Sequence, residues 1–404
     1  MPETVFFDGH NDLILRLVRG AIDAEDVARG VRRGRAPGAG AGAGARNGAD
    51  GDGRGDGRSG SGCEQGGEQG GETGREPGCG GPIGGHIGGH IDLPRARAGG
   101  FGGGLFAVFV PSPDGGGLND DAMRAPPYDV PLPAPIPRET ALEVTRAGFD
   151  ALERLEAAGA VVICRSAAQI AAALGGPRMA AVAHLEGAEA IGPDLEGLEE
   201  LHARGLRSLG PVWSRPNVFG HGVPFRFPAS PDVGPGLTDA GKALVRACNA
   251  LGVMIDLSHL NEKGFDDVAA ISDAPLVATH SNAWAVCPHA RNLTDRQLRM
   301  IAESDGMVGI NFASAFLRPD GRMDGDFGLD VMLRHFDHMI KILGEDRVGI
   351  GSDFDGALVP KPIGDCAGLP ALAAAMRAHG YDEALMRKLA HENWLRVLRK
   401  TWDE

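Results

Sequence analysis

The sequence predicts an α/β fold, a (β/α)8 barrel of the TIM type, on three observations. Short apolar runs rich in Val, Ile and Phe, each ending in a polar or glycine-containing turn, recur along the chain. Longer segments of helical periodicity separate them. The alternation continues over about 250 residues or more, which favours a closed barrel over an open doubly wound sheet.

In chain order the first strand is predicted at Thr4 to Phe7, and the second at Leu105 to Val110. A helix over Arg138 to Ala158 follows, then Met179 to His184 and Leu206 to Val212 as strands three and four. Helix Thr238 to Leu251 leads to the fifth strand, Val253 to Leu257, and the sixth runs from Leu276 to Thr279. Helix Thr294 to Glu303 precedes the seventh strand, Met307 to Asn311; helix Leu329 to Leu343 precedes the eighth, Val348 to Gly351. Asp382 to Thr401 closes the chain as a helix. Val161 to Cys164 is a ninth strand candidate, so the count of eight involves a choice.

Between the first two strands, residues 35–90 hold 23 of the 63 glycines and only Ile83 and Ile87 as bulky aliphatics. Such a stretch cannot build a core, and its Gly-Ala, Gly-Asp-Gly-Arg and Ile-Gly-Gly-His repetitions mark low complexity. It is predicted to be a disordered surface insertion within one domain spanning residues 1–404. Its five arginines are offset by seven acidic residues, against an RNA-binding arginine-glycine tail.

The remainder, at 43% hydrophobic and 23% charged residues over the whole chain, suits one large soluble domain. A formal charge of −14 argues against a nucleic-acid partner, since such proteins carry clustered basic surface. The start, Met-Pro-Glu-Thr-Val-Phe-Phe-Asp, has no basic n-region and no long apolar h-region, and no apolar run approaches the ~18 residues of a membrane span. Six cysteines lie scattered without a CxxC pair, as in a reducing compartment. The expectation is a cytoplasmic protein with no membrane partner.

His10-Asn11-Asp12 follows the first strand, and residues i and i+2 of an extended chain point to one side, so both can reach one metal. HxD alone is weak: His90-Ile91-Asp92 has the same spacing beside the glycine-rich stretch. What distinguishes His10 and Asp12 is company. Glu186, His259, His280 and Asp353 each stand just past the C-terminal end of an apolar run, the face where barrel enzymes place their catalytic residues. Three histidines with two or three carboxylates form a mixed N/O set that suits Zn²⁺ or a similar divalent ion. Five ligands exceed the needs of one catalytic zinc; two ions sharing a carboxylate, ~3.5 to 4 Å apart, would use them all.

Six segments together resemble the renal (membrane) dipeptidase family, metallopeptidase family M19. They are Asp8-Gly9-His10-Asn11-Asp12-Leu13, Leu185-Glu186-Gly187-Ala188-Glu189-Ala190-Ile191, Asp256-Leu257-Ser258-His259, Thr279-His280-Ser281-Asn282, Arg291-Asn292-Leu293-Thr294-Asp295 and Gly351-Ser352-Asp353-Phe354-Asp355-Gly356. The resemblance covers the chain outside the insertion, including the tail His391-Glu392-Asn393-Trp394. It implies an amidohydrolase-like barrel that hydrolyses dipeptides with two Zn²⁺ and a metal-bridging hydroxide, and suggests a homodimer. It implies His10 and Asp12 on one zinc, His259 and His280 on the other, and Glu186 bridging. Asp353 would shuttle the proton and Arg291 would grip the substrate's terminal carboxylate.

One position departs from the family. Where a Leu-Thr-His often follows the fourth strand, with that histidine polarising the scissile carbonyl, this chain has Trp213. Either the metals alone stabilise the oxyanion, or His221 in Gly220-His221-Gly222 substitutes. His184 is expected beside the site, whereas His335 and His338 share a helical face without a third ligand. Two other functions fit the same residues: hydrolysis of another amide, lactam or ester, of which a neutral ester would not depend on Arg291, and non-catalytic metal-dependent binding, which would leave Asp353 without a purpose.

Overall fold

The computed structural model describes residues 3–30, 89–113 and 120–402. Eight strands form one parallel sheet: β1 (Phe6–Asn11), β2 (Phe101–Phe109), β3 (Met179–Glu186), β4 (Leu206–Gly210), β5 (Met254–Ile255), β6 (Val277–Ala278), β7 (Met307–Ile310) and β8 (Val348–Ile350). Their order is β5-β4-β3-β2-β1-β8-β7-β6. The two ends meet at a parallel bridge between Asp256 and Val277, where Leu257 N–H donates to Val277 O at 2.8 Å. The ring is therefore a closed (β/α)8 barrel. Its strands read as unbroken apolar runs because side chains fill the inside and helices cover the outside.

All eight expected runs are barrel strands. The ninth candidate, Val161–Ile163, is also a strand, but it pairs with Met179 to Ala181 of β3 while β4 takes Ala183 to Glu186 of the same edge. β1 is longer than expected, continuing through His10 to Asn11.

Helices Arg138–Ala157, Asp239–Leu251, Asp295–Glu303 and Asp330–Leu343 lie where the periodicity puts them. Thr238 and Thr294 are N-caps: Thr238 Oγ1 accepts from Gly241 N, and Thr294 forms a capping box with Gln297. The closing segment departs from a single helix. Glu383–Arg387 and Asn393–Thr401 are α-helical, but Lys388–Glu392 between them is a π turn. Three polar side chains at this turn and just after it reach the barrel. His391 Nδ1 donates to Val5 O (2.9 Å), Asn393 Nδ2 to Val348 O (2.8 Å) and Trp394 Nε1 to Ile350 O (3.0 Å).

Trp394 is fully buried and closes the barrel floor with Phe7, Leu105, Met254, Val277 and Met307. A larger cluster packs the helices against the outer face of the sheet, from Phe6 and Phe101 to Phe336 and Leu389.

The insertion expected over residues 35–90 lies outside the described residues as far as residue 88. Its far boundary is corrected by His90, which is buried in the barrel structure: its N–H donates to Asp355 Oδ1 (2.6 Å), and its Nδ1 accepts from Asp355 N–H (2.8 Å). Among the described residues no helix is long and apolar enough to cross a membrane.

Candidate metal centre

The C-terminal ends of the strands bring together the five expected ligands. β1 delivers His10, and Asp12 follows at the N-cap of helix Leu13–Val18. Its carboxylate makes no capping bond and instead lies 3.5 Å from His10 Nε2. Glu186 ends β3, and His259 and His280 follow β5 and β6. One oxygen, Glu186 Oε1, stands 3.0 Å from His259 Nε2, 3.5 Å from His280 Nε2 and 3.6 Å from His10 Nε2.

Hydrogen bonds on the far side of the imidazoles set which nitrogen faces the centre. Asp256 Oδ2 accepts from Thr279 Oγ1 at 2.6 Å, so that hydroxyl has spent its proton and must accept from His280 Nδ1 at 2.8 Å. His280 Nε2 is then a lone pair turned inward, the form that ligates metal. His259 Nδ1 pairs with Ser214 Oγ at 2.8 Å, leaving its Nε2 only 3.0 Å from that of His280. Burial, reinforced by the cations Arg291 and His10, holds both histidines well below the ordinary imidazole range and keeps them neutral.

The donor set calls for a cation. Neither ring nitrogen of His10 has a hydrogen-bond partner, although the residue is fully buried. Burial alone would suppress its charge, but Glu186, Asp12 and Asp353 outweigh burial and push its pKa up to about 10. Burial drives Glu186 well above the carboxylate range, with Asp12 and Asp353 adding to the effect. His10 with Asp12 and Asp353, and His10 with Glu186 and His280, each gather ligand atoms within 4.8 Å of one another. Positive charge must enter this cluster as protons or as metal, and imidazole with carboxylate is the ligand chemistry of zinc.

Asp353 follows β8 at φ 59°, and Asn311, at the end of β7, donates to its Oδ2 at 3.0 Å. Burial and Asp12 raise its carboxyl to about 6, against His10, Asn311 and Arg291. Its loop is fastened by Asp8, which accepts from Ser352 N (2.6 Å) and Ser352 Oγ (2.7 Å). Gly356 is obligatory here, because a Cβ would collide with the carboxylates of Asp12 and Asp353.

Asp12, Glu186, His259 and Asp353 line one cleft that opens to solvent. Arg291 does not line it. Its guanidinium sits 5.6 Å from the ring of Phe316, which does, and is held by Ser281 Oγ (3.3 Å) and His280 O (3.1 Å), with Nε unpartnered. Burial pulls its pKa down to about 10, opposed by Asp353 and Glu186. His221 is half-buried and is not among the lining residues. His184 lies beside the site as expected, with Nδ1 on Ser208 Oγ (2.8 Å) and Nε2 3.6 Å from Asp256 Oδ2. His335 and His338 are structural: His335 bonds Ala283 N and Leu317 O, and His338 bonds Asp295. The described cysteines are buried and free.

Sequence reasoning did not assign Ser214, Thr279 or Asn311. Asn311 ends an apolar run as the ligands do, and that signal was available. Ser214 carried none, because its partner His259 lies on another strand.

A family model described as membrane dipeptidase (peptidase family M19) matches residues 85–403. An uncharacterized protein in the pqqA 5' region of Klebsiella pneumoniae is 51% identical over 247 residues, covering 61% of this chain and 91% of its own. Among solved structures, a metallo peptidase from Rhodobacter sphaeroides, liganded with a phosphinate mimic of the dipeptide L-Ala-D-Ala, is 51% identical. It has a TM-score of 0.83, covering 99% of this chain and 100% of that one. A dipeptidase AC of family M19 is 50% identical with a TM-score of 0.82, covering 100% of both chains.

Proposed function

Because the chain belongs to the membrane dipeptidase family, peptidase family M19, we propose that it hydrolyses the peptide bond of dipeptides at the centre built around Glu186. The observation that carries this reading is the single carboxylate oxygen within 3.0 to 3.6 Å of three inward-facing imidazole nitrogens. The Rhodobacter relative holds a dipeptide mimic, which supports the substrate class.

In this reading His10 and Asp12 would hold one divalent ion and His259 and His280 the other, with Glu186 shared between the two sets. Two zinc ions bound there would supply Lewis acidity toward the scissile carbonyl and water that ionises near neutral pH. Asp353 accepts the proton of the attacking water and returns it to the leaving amine, with its carboxylate oriented by the hydrogen bond from Asn311. Arg291, although outside the cleft lining, would give the positive charge for the substrate's carboxylate, with its unpartnered Nε among the free donors. His221 stands outside the cleft lining, which favours a reaction in which it takes no part. Four buried thiols that form no disulfide fit a reducing, cytoplasmic setting.

Asp353→Asn tests the mechanism. The amide keeps the carboxylate's shape but cannot take the proton, so kcat should fall ~10²- to 10⁴-fold while KM and metal content stay near wild type. Glu186→Gln, by contrast, should lower metal content. Equal activity of Asp353→Asn and wild type at saturating dipeptide would remove the proton-shuttle assignment.

A further inference from the structure

The lining of the cleft divides sharply by chemistry. Its ionisable members, Asp12, Glu186, His259 and Asp353, belong to the metal centre. The rest is apolar, and among the described residues no lysine, arginine, amide or hydroxyl side chain lines it. Resting on the dipeptidase reading, we propose that this wall selects a substrate carrying an uncharged, apolar side chain. The residues that set the selection are Phe109, Met123, Trp213, Phe225, Phe316 and Met323.

These six belong to one hydrophobic cluster, separate from the barrel core. Four form a continuous aromatic arc. Phe109 and Trp213 have ring centroids 5.0 Å apart, Trp213 meets Phe225 edge-on at 5.6 Å, and Phe225 stacks on Phe316 at 5.9 Å. The arc begins beside the metal centre, with Trp213 5.7 Å from the ring of His259. A side chain projecting from a dipeptide held at Glu186 would therefore meet aromatic faces.

Arg215 fixes the arc from behind without lending it charge. Its guanidinium lies 5.4 Å from the Trp213 ring and 5.9 Å from that of Phe109. It is fully buried, bonded to Glu189 Oε1 (2.9 and 3.1 Å), Ser112 Oγ (3.0 Å) and Val110 O (2.9 Å). The cation is neutralised by Glu189 and offers nothing to an acidic substrate. On the basic side, the carboxylates of Asp12 and Glu186 are turned to His10, at 3.5 and 3.6 Å. Asp353 accepts from Asn311 at 3.0 Å, and a lysine side chain would meet thioethers and rings, whose cation–π attraction is weaker than the hydration the ammonium gives up.

The two methionines give the wall tolerance. Met323 N–H donates to Met123 O at 2.9 Å, bringing both to the cleft. Flexible, polarisable thioethers adapt to apolar shapes but cannot solvate a charge. Selection should therefore be weak among apolar side chains and strong against charged ones.

The test uses metal-loaded, full-length protein and two dipeptide series, X-Ala and Ala-X, with X as Met, Leu, Glu or Lys. Met and Leu should exceed Glu and Lys in kcat/KM by ~100-fold or more in at least one series, because the charged side chain finds no partner. Met323→Lys should raise the Glu:Met ratio of kcat/KM at least about tenfold by supplying that partner. Met123→Lys is the parallel variant should the first not fold, with circular dichroism and metal content as the check. Glu and Lys substrates within about threefold of Met in both series would overturn the selectivity while leaving the dipeptidase reading intact. So would folded, metal-loaded lysine variants with an unchanged Glu:Met ratio. If the metal-loaded protein cleaves no dipeptide in either series, both fall.

Discussion

His335 is fully buried, and its two hydrogen bonds define its protonation. Nδ1 accepts from Ala283 N–H, so the ring proton sits on Nε2 and goes to Leu317 O. Burial, with the nearby His338, pulls its pKa from 6.5 down to about 4 despite the Leu317 bond. The unfolded chain therefore binds this proton more readily than the folded one. Its stabilisation is complete above about pH 6.5 and is lost progressively as pH falls toward 4, at most about 3 kcal/mol. Denaturant titrations at pH 7 and pH 5 should show this loss in wild type and a smaller one in His335→Gln; identical pH slopes would contradict it. At this scale the sequence told which residues are ligands' candidates but not how they are held. Residue types at strand ends were visible in His10, Glu186, His259 and His280, whereas Ser214 behind His259 and Asp256 behind Thr279 are meetings between strands. Nor does a sequence reveal that His259, Asp353 and Asp355 adopt φ of 68°, 59° and 69°, a backbone region that costs non-glycine residues energy and that surrounding contacts must hold.

β1 and the closing helix depend on each other. Gly9 stands between Asp8 and His10, and a Cβ there would run into Thr279 O and the indole of Trp394. Gly9→Ala should therefore destabilise the fold by about 1–3 kcal/mol through overpacking, and should disturb metal content as well, since His10 is the next residue. Thermal unfolding with metal analysis reads both; an unchanged melting temperature would mean that Trp394 can move aside. The barrel strands were legible because double burial writes itself as a continuous apolar run, and the helices because Thr238 and Thr294 announce their caps. The π turn at Lys388–Glu392 was not, since the bonds made at and just after it go to Val5, 386 residues away, and to Val348 and Ile350, 45 and 44 residues away.

Across the whole molecule, the ring order of the strands followed from their alternation with helices, while the end of the insertion did not. His90 looked like part of the low-complexity stretch, yet its paired bonds to Asp355 attach it to the loop that carries Asp353. Helix Ala24–Arg29, before the insertion, packs against helix Leu93–Gly99, after it. The chain thus leaves and re-enters the barrel at neighbouring points. β1, with His10 and Asp12, precedes that gap in the described chain, and the rest of the barrel follows it. Fragments 1–34 and 89–404, produced together, should reassemble, turning a unimolecular folding reaction into a bimolecular one. Zinc should tighten their association, because only the complex owns the full ligand set. Dipeptide hydrolysis would then rise with fragment concentration and saturate, and two soluble fragments that stay inert at every concentration with zinc present would show that the link is needed. In such a split protein the stability of the barrel becomes a dissociation constant, measurable by titration without any denaturant.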